Sequence, residues 1–137
     1  MGQHNTEEYG GGTAQTTGAT LTPAAWFTPQ KGKGYLVTAY VIGVDEGGVQ
    51  AAGYILAGAY RVTDAGAIVI AGSVGVIHSG ETNGAWAATL SIANAISGAA
   101  AGTGPYIRVD VTGEAAKVIN WRANIEPIRV GFAGGKT

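Results

Sequence analysis

The segment from Tyr106 to Val130 constrains this chain more than any other. It alternates on both sides of a turn. Ile107, Val109 and Val111 share one face, and Arg108, Asp110 and Thr112 the other. Beyond Gly113-Glu-Ala-Ala-Lys117, Ile119, Trp121, Ala123 and Ile125 oppose Asn120, Arg122, Asn124 and Glu126. Successive side chains of a strand point to opposite faces, so a period of two predicts half-buried strands with the apolar side inward. The two runs read as an antiparallel hairpin at the end of a one-sided sheet. Asp110 and Arg122 would then point outward on adjacent strands and pair across them. Trp121 becomes a core anchor, with Trp86, Ile107, Val109, Val111, Ile119 and Ile125 around it.

A chain of 137 residues is long enough for one domain with a core of its own. It needs no cross-links and has no cysteine to make them, which removes thiol chemistry and Cys-ligated zinc. Eight Lys+Arg against nine Asp+Glu give a net charge of −1, and only 12% of residues are charged, where about 25% is usual. Sparse charge has two readings: a neutral, Thr/Ala/Gly-rich surface, or a surface covered by copies of the chain or by a partner. No basic stripe is present, so no nucleic-acid partner is expected. No apolar run approaches the ~18 residues of a membrane helix, so no membrane partner is expected either.

The remainder reads as short strands separated by turns. Residues 1–19, with Gly10-Gly11-Gly12 and the Thr/Gln/Gly/Ala stretch that follows, read as an extended arm that packs no core. A strand over residues 20–28 is broken by Pro23 and stopped by Pro29. Strands then follow over 35–44, 49–62, 67–77 and 85–92, with turns at Asp45-Glu-Gly-Gly48 and Thr63-Asp-Ala-Gly66. His78–Gly84 and Ala93–Gly104 read as loops. The expected fold is all-β, an antiparallel sandwich or jelly-roll-like barrel of about seven or eight strands. It would span residues 20–130, with a short C-terminal tail over 131–137. Gly and Ala number 24 each. The small residues concentrated in Val49–Gly72 would let a second sheet, or a symmetry mate, approach closely.

A search for chemistry yields little. His78, Ser79 and Glu81 are neighbours in sequence, but a nucleophile–base set is a spatial arrangement, and no Gly-x-Ser-x-Gly elbow occurs. His-x-x-x-His and Asp-x-Asp-x-Asp spacings are missing, so no metal and no cofactor is expected. Asp110, Glu114 and Glu126 read as structural carboxylates rather than a glycosidase pair. Tyr9, Tyr35, Tyr54, Tyr60 and Tyr106 are candidates for stacking on a sugar, which keeps a carbohydrate-binding module as an alternative. No enzymatic activity is expected.

One pattern resembles a known class of proteins. Tyr60-Arg61-x-x-Asp64 leads into a turn, Gly72-Ser73 follows, and Trp86 opens an alternating strand. The chain then closes with Val109-x-Val111-Thr112-Gly113, Ile119-Asn-Trp121 and Ala123. Over residues 54–130 this resembles the small β-sandwich modules of tailed-bacteriophage structural proteins, found in capsid decoration (cement) proteins and in tail-fibre and baseplate proteins. The resemblance implies a virion assembly role, often as a homotrimer, and transfers no active-site residues. A short chain with an extended arm suits decoration of the outer capsid surface, with the major capsid protein as partner. Tyr9, Gly10, Gly11, Gly12 and Thr13 are then the expected contact residues. A tail-fibre or baseplate component is the alternative.

Overall fold

The computed structural model describes residues 3–6, 10–93 and 105–131. They form nine strands: β1 Gln3–Thr6, β2 Gly10–Thr16, β3 Thr22–Thr28, β4 Lys33–Asp45, β5 Ala51–Val62, β6 Ile68–Glu81, β7 Ala87–Ala93, β8 Tyr106–Thr112 and β9 Ile119–Gly131. Two sheets result, one of four strands in the order β1-β3-β8-β7 and one of five in the order β2-β9-β4-β5-β6. Every pairing is antiparallel except β1 with β3. The fold is the expected all-β class, in its sandwich form. Among the described residues each sheet keeps two free ends, so the sandwich is not a closed barrel.

The β4–β5–β6 meander follows its turn chemistry. Asp45 Oδ1 accepts the backbone N–H groups of Val49 and Gln50 at 2.7 and 3.0 Å, and Gly48 adopts φ +71°. Those backbone bonds, with Lys117 nearby, hold the Asp45 carboxyl below its ordinary range against a smaller opposing effect of desolvation. At the second turn Thr63 Oγ1 accepts the Ala67 N–H at 3.0 Å and Gly66 takes φ +95°, a conformation that glycine adopts without steric penalty.

Two of the expectations fail for topological reasons. β8 and β9 are not a hairpin. β8 pairs with β3 and β7 in one sheet, and β9 with β2 and β4 in the other, so the connection over 113–118 arches from one sheet to the other. Periodicity fixes which face of a strand is buried but says nothing about its neighbour. Trp86, just ahead of β7, meets Trp121 on β9 edge-to-face, with centroids 5.7 Å apart. Their contact spans the two layers. Glu114 in the arch accepts from Trp86 Nε1 and Asn83 Nδ2, each at 3.0 Å, which ties the arch to the four-stranded sheet. The Asp110–Arg122 pair is therefore impossible. Asp110 is 2% exposed and is held instead by Arg108 Nε, at 2.8 Å, and by Ser91 Oγ, at 3.0 Å.

The other failure concerns the arm. Gly10–Thr16 pairs with β9 along its length, Gly10 opposite Ile125 and Thr16 opposite Ile119, and Gln3–Thr6 pairs with β3. Ala14 and Thr16 are buried, and Thr16 Oγ1 accepts the Trp121 indole N–H at 3.0 Å. Composition alone pointed to an arm that packs no core, but a terminal segment docks where a sheet edge offers unpaired backbone groups.

The core lies between the sheets. Trp86, Ile107, Val109, Val111, Ile119, Trp121 and Ile125 are all buried, joined by Phe27, Tyr35, Val37, Leu56 and Tyr60. Residues 78–81 continue β6 rather than forming a loop, opposite Ile55, Tyr54, Gly53 and Ala52.

Candidate interaction face on the five-stranded sheet

The five-stranded sheet has a second face, turned away from the core, and strand register defines it. On β4, Tyr35, Val37, Ala39 and Val41 are buried, so Leu36, Thr38, Tyr40, Ile42 and Val44 point outward. Leu36 lies between Ala59 of β5 and Ile128 of β9, Tyr40 between Ile55 and Asn124, and Ile42 between Gly53 and Arg122. An outer face normally alternates to polar residues. Here the central strand is apolar on both sides, and Leu36, Tyr40, Ile42 and Val44 are 50%, 42%, 54% and 37% exposed. Ile128 and Val130 extend the surface along β9, and Val69 along β6.

The small residues of β5 now have a place. Its inward positions carry Tyr54, Leu56, Tyr60 and Val62, whereas its outward ones carry Ala51, Gly53, Ala57 and Ala59 around Ile55. Close approach is possible from outside only. Above Gly53 lies an open groove of about 480 Å³, walled by Tyr40, Ile42, Ile55, His78, Arg122 and Asn124.

Charge on this face is confined mainly to β9 and the end of β5. Arg122 and Glu126 point outward on either side of Asn124, exposed, and neither forms an ion pair among the described residues. Four residues of strand separate them by about 13 Å, beyond mutual reach. Gln15 Nε2 donates to Asn120 Oδ1 at 2.9 Å, joining β2 to β9 on the same side.

The residues singled out from sequence fall elsewhere. Tyr9 lies outside the described residues. Gly10, Gly11, Gly12 and Thr13 sit in β2 opposite Ile125, Asn124, Ala123 and Arg122, at the margin of the apolar face. Tyr35, Tyr54, Tyr60 and Tyr106 are buried and offer no ring to a sugar. Desolvation, reinforced by Glu81, which accepts its hydroxyl proton, raises the Tyr54 phenol. Desolvation alone pushes Tyr60 up to about 12, and its hydroxyl has no hydrogen-bond partner among the described residues. Tyr40, exposed at the centre of the face, was not singled out. The signal for it was present: the run from Tyr35 to Val44 has too little polar alternation for a strand wet on one side. His78 and Ser79 lie on the exposed end of β6. Among the described residues no group of three or more His, Asp or Glu is placed to hold a metal.

Comparison with known proteins is sparse. No protein-family model and no curated protein matches the chain. Among solved structures, the tailspike protein of Acinetobacter baumannii phage AM24 aligns with 88% of this chain, at a TM-score of 0.37 and 8% identity. The aligned region spans 28% of that tailspike.

Proposed function

We propose that the chain is a non-enzymatic structural protein of a phage particle that works by being held in an assembly. The observation that supports this reading is the outer face of the five-stranded sheet. A monomer seldom exposes a contiguous apolar surface larger than a few hundred Å², and larger ones mark interaction sites. Leu36, Tyr40, Ile42 and Val44 stand in one row there, with Ile128 and Val130 beside them. The sequence pattern over residues 54–130 supplies the virion context. In its finer form the role is capsid decoration, attachment to the lattice of the major capsid protein on the outside of the head. With Gly10–Thr16 built into the sheet, attachment does not run through a free arm over those residues. A tail-fibre or baseplate position is the second reading.

The test is the position of the protein on particles of the phage whose genome carries it, read with gold-labelled antibody. Label distributed over the head shell supports decoration. Label confined to the tail moves the protein there. Purified particles without the protein overturn the structural role altogether.

A further inference from the structure

The outer face of the five-stranded sheet has a symmetry that the contact residues make explicit, and it deepens the assembly reading by naming what covers that face. We propose that the occupant is a second copy of the same chain, stacked outer face to outer face about a two-fold axis that runs at right angles to the strands, level with Tyr40 and Asn124. Such an axis reverses strand direction and keeps strand order, so β4 lies over β4 and β9 over β9 of the second copy. Along β9, Arg122 then meets Glu126 of the other copy, and Glu126 meets its Arg122. Along β4, Leu36 meets Val44, and Tyr40 meets its counterpart.

Three observations converge on this occupant. The first is charge. Arg122 and Glu126 lie equally spaced about Asn124 on one face, too far apart to pair with each other, and neither has an ion-pair partner among the described residues. A two-fold interface requires a self-complementary patch, and an Arg and a Glu flanking the axis satisfy that condition with two ion pairs. The second is shape. The outward residues of β5 are Ala51, Gly53, Ala57 and Ala59, so a sheet can approach there without side chains intervening. In the two-fold register Gly53 faces Ala57 of the other copy, and Ala51 faces Ala59. The third is area. Five strands at about 4.8 Å spacing and about nine residues at 3.4 Å cover roughly 740 Å² per copy, or about 1,500 Å² in all, the size of a stable interface. Face-to-face sheets pack at about −30°. Long Arg and Glu side chains span the offset this rotation introduces at β9, the strand next to the centre.

The test uses the purified chain by itself, so its outcome is independent of whether the protein is found on particles. Sedimentation velocity is measured for the parent, Arg122→Glu, Glu126→Arg, the double reversal, and an equimolar mixture of the two single variants. Both positions are exposed, and far-ultraviolet circular dichroism spectra that match the parent's establish that the variants fold. The parent sediments as a dimer. Each single reversal puts like charges across the axis at two places and weakens dimerisation at least about tenfold. The double reversal restores it. The mixture also restores it, because one variant carries acids at both positions and the other bases. A parent that stays monomeric up to about 100 μM, a parent trimer, or a dimer indifferent to both single reversals overturns the proposal.

Discussion

Replacing Gly43 by alanine tests the packing on which the whole interior depends. Gly43 pairs with Trp121 on the neighbouring strand, and the indole occupies the space a side chain would need. A Cβ there would stand 2.5 Å from Cε3 and 2.6 Å from Cζ3, about 1 Å inside normal carbon–carbon contact. Trp86 packs edge-to-face on the indole with centroids 5.7 Å apart, and the Trp121 N–H is committed to Thr16 Oγ1 at 3.0 Å. Overpacking of this kind costs about 1–3 kcal/mol, and loss of the Thr16 bond leaves a buried donor unmet, a further ~1–3 kcal/mol. Against these, alanine gains about 0.5–1 kcal/mol over glycine by restricting the unfolded chain. The net effect is a loss of about 1–5 kcal/mol, centred near 3, and the central value lowers Tm by roughly 10 °C for a domain this size. Gly53→Ala is the control. It lies on the adjacent strand, but its added Cβ meets nothing closer than the Val41 carbonyl at 3.9 Å, so it should be neutral or stabilising by a few tenths of a kcal/mol. Urea unfolding followed by tryptophan fluorescence and far-ultraviolet circular dichroism gives both values. If Gly43→Ala is as stable as Gly53→Ala, Trp121 does not lie over β4 and the account of the core is wrong.

Deleting residues 1–16 removes β1 and β2 and uncovers the Trp121 edge of β9. The truncated chain should lose about 3 kcal/mol or more, roughly 10 °C, whereas an arm resting on a partner would leave the melting curve unchanged. Tyr60→Phe removes a buried hydroxyl with no partner among the described residues, so calorimetry at neutral pH should show no loss or a gain of about 1 kcal/mol. Because burial raises the Tyr60 phenol from 10 to about 12, the unfolded chain ionises first. Stability is therefore full below pH ~10 and falls as pH climbs towards ~12. The decline should be shallower in Tyr60→Phe, and equal slopes would refute the burial.

Much of the fold was legible because its strands are wet on one side and dry on the other. β9 shows this best, with Ile119, Trp121, Ala123 and Ile125 buried as the alternation required. β6 beyond Ile77 was not legible. Both its faces are exposed, so no alternation exists, and His78-Ser-Gly carries little strand propensity. Its strand state comes from the register with β5. The arch between β8 and β9 was hidden for a different reason. The same residues would suit a long turn, and the choice is made by Trp86 and Glu114, far apart in the chain. Asp110 sits at an outward position, yet it is buried by Arg108 and Ser91, which no period reveals. The candidate face was half visible. Its apolar β4 run stood out, but which side chains would remain uncovered depended on the strand order.

The strand order also governs when the molecule can exist during its own synthesis. β9 is the last strand described, and it inserts between β2, among the first, and β4. A nascent chain halted before Ile119 can form the β4–β5–β6 meander but not the five-stranded sheet. Trp86 has no partner ring in such a chain, and the hydroxyl of Thr16 has no indole to meet. The open edge of β4 must wait on the ribosome for about ten seconds at typical elongation rates. Over that interval its unpaired backbone is available to any other strand. Completion is therefore a single late event, in which the arrival of β9 seals the edge, recruits the amino-terminal strand and closes the interior together.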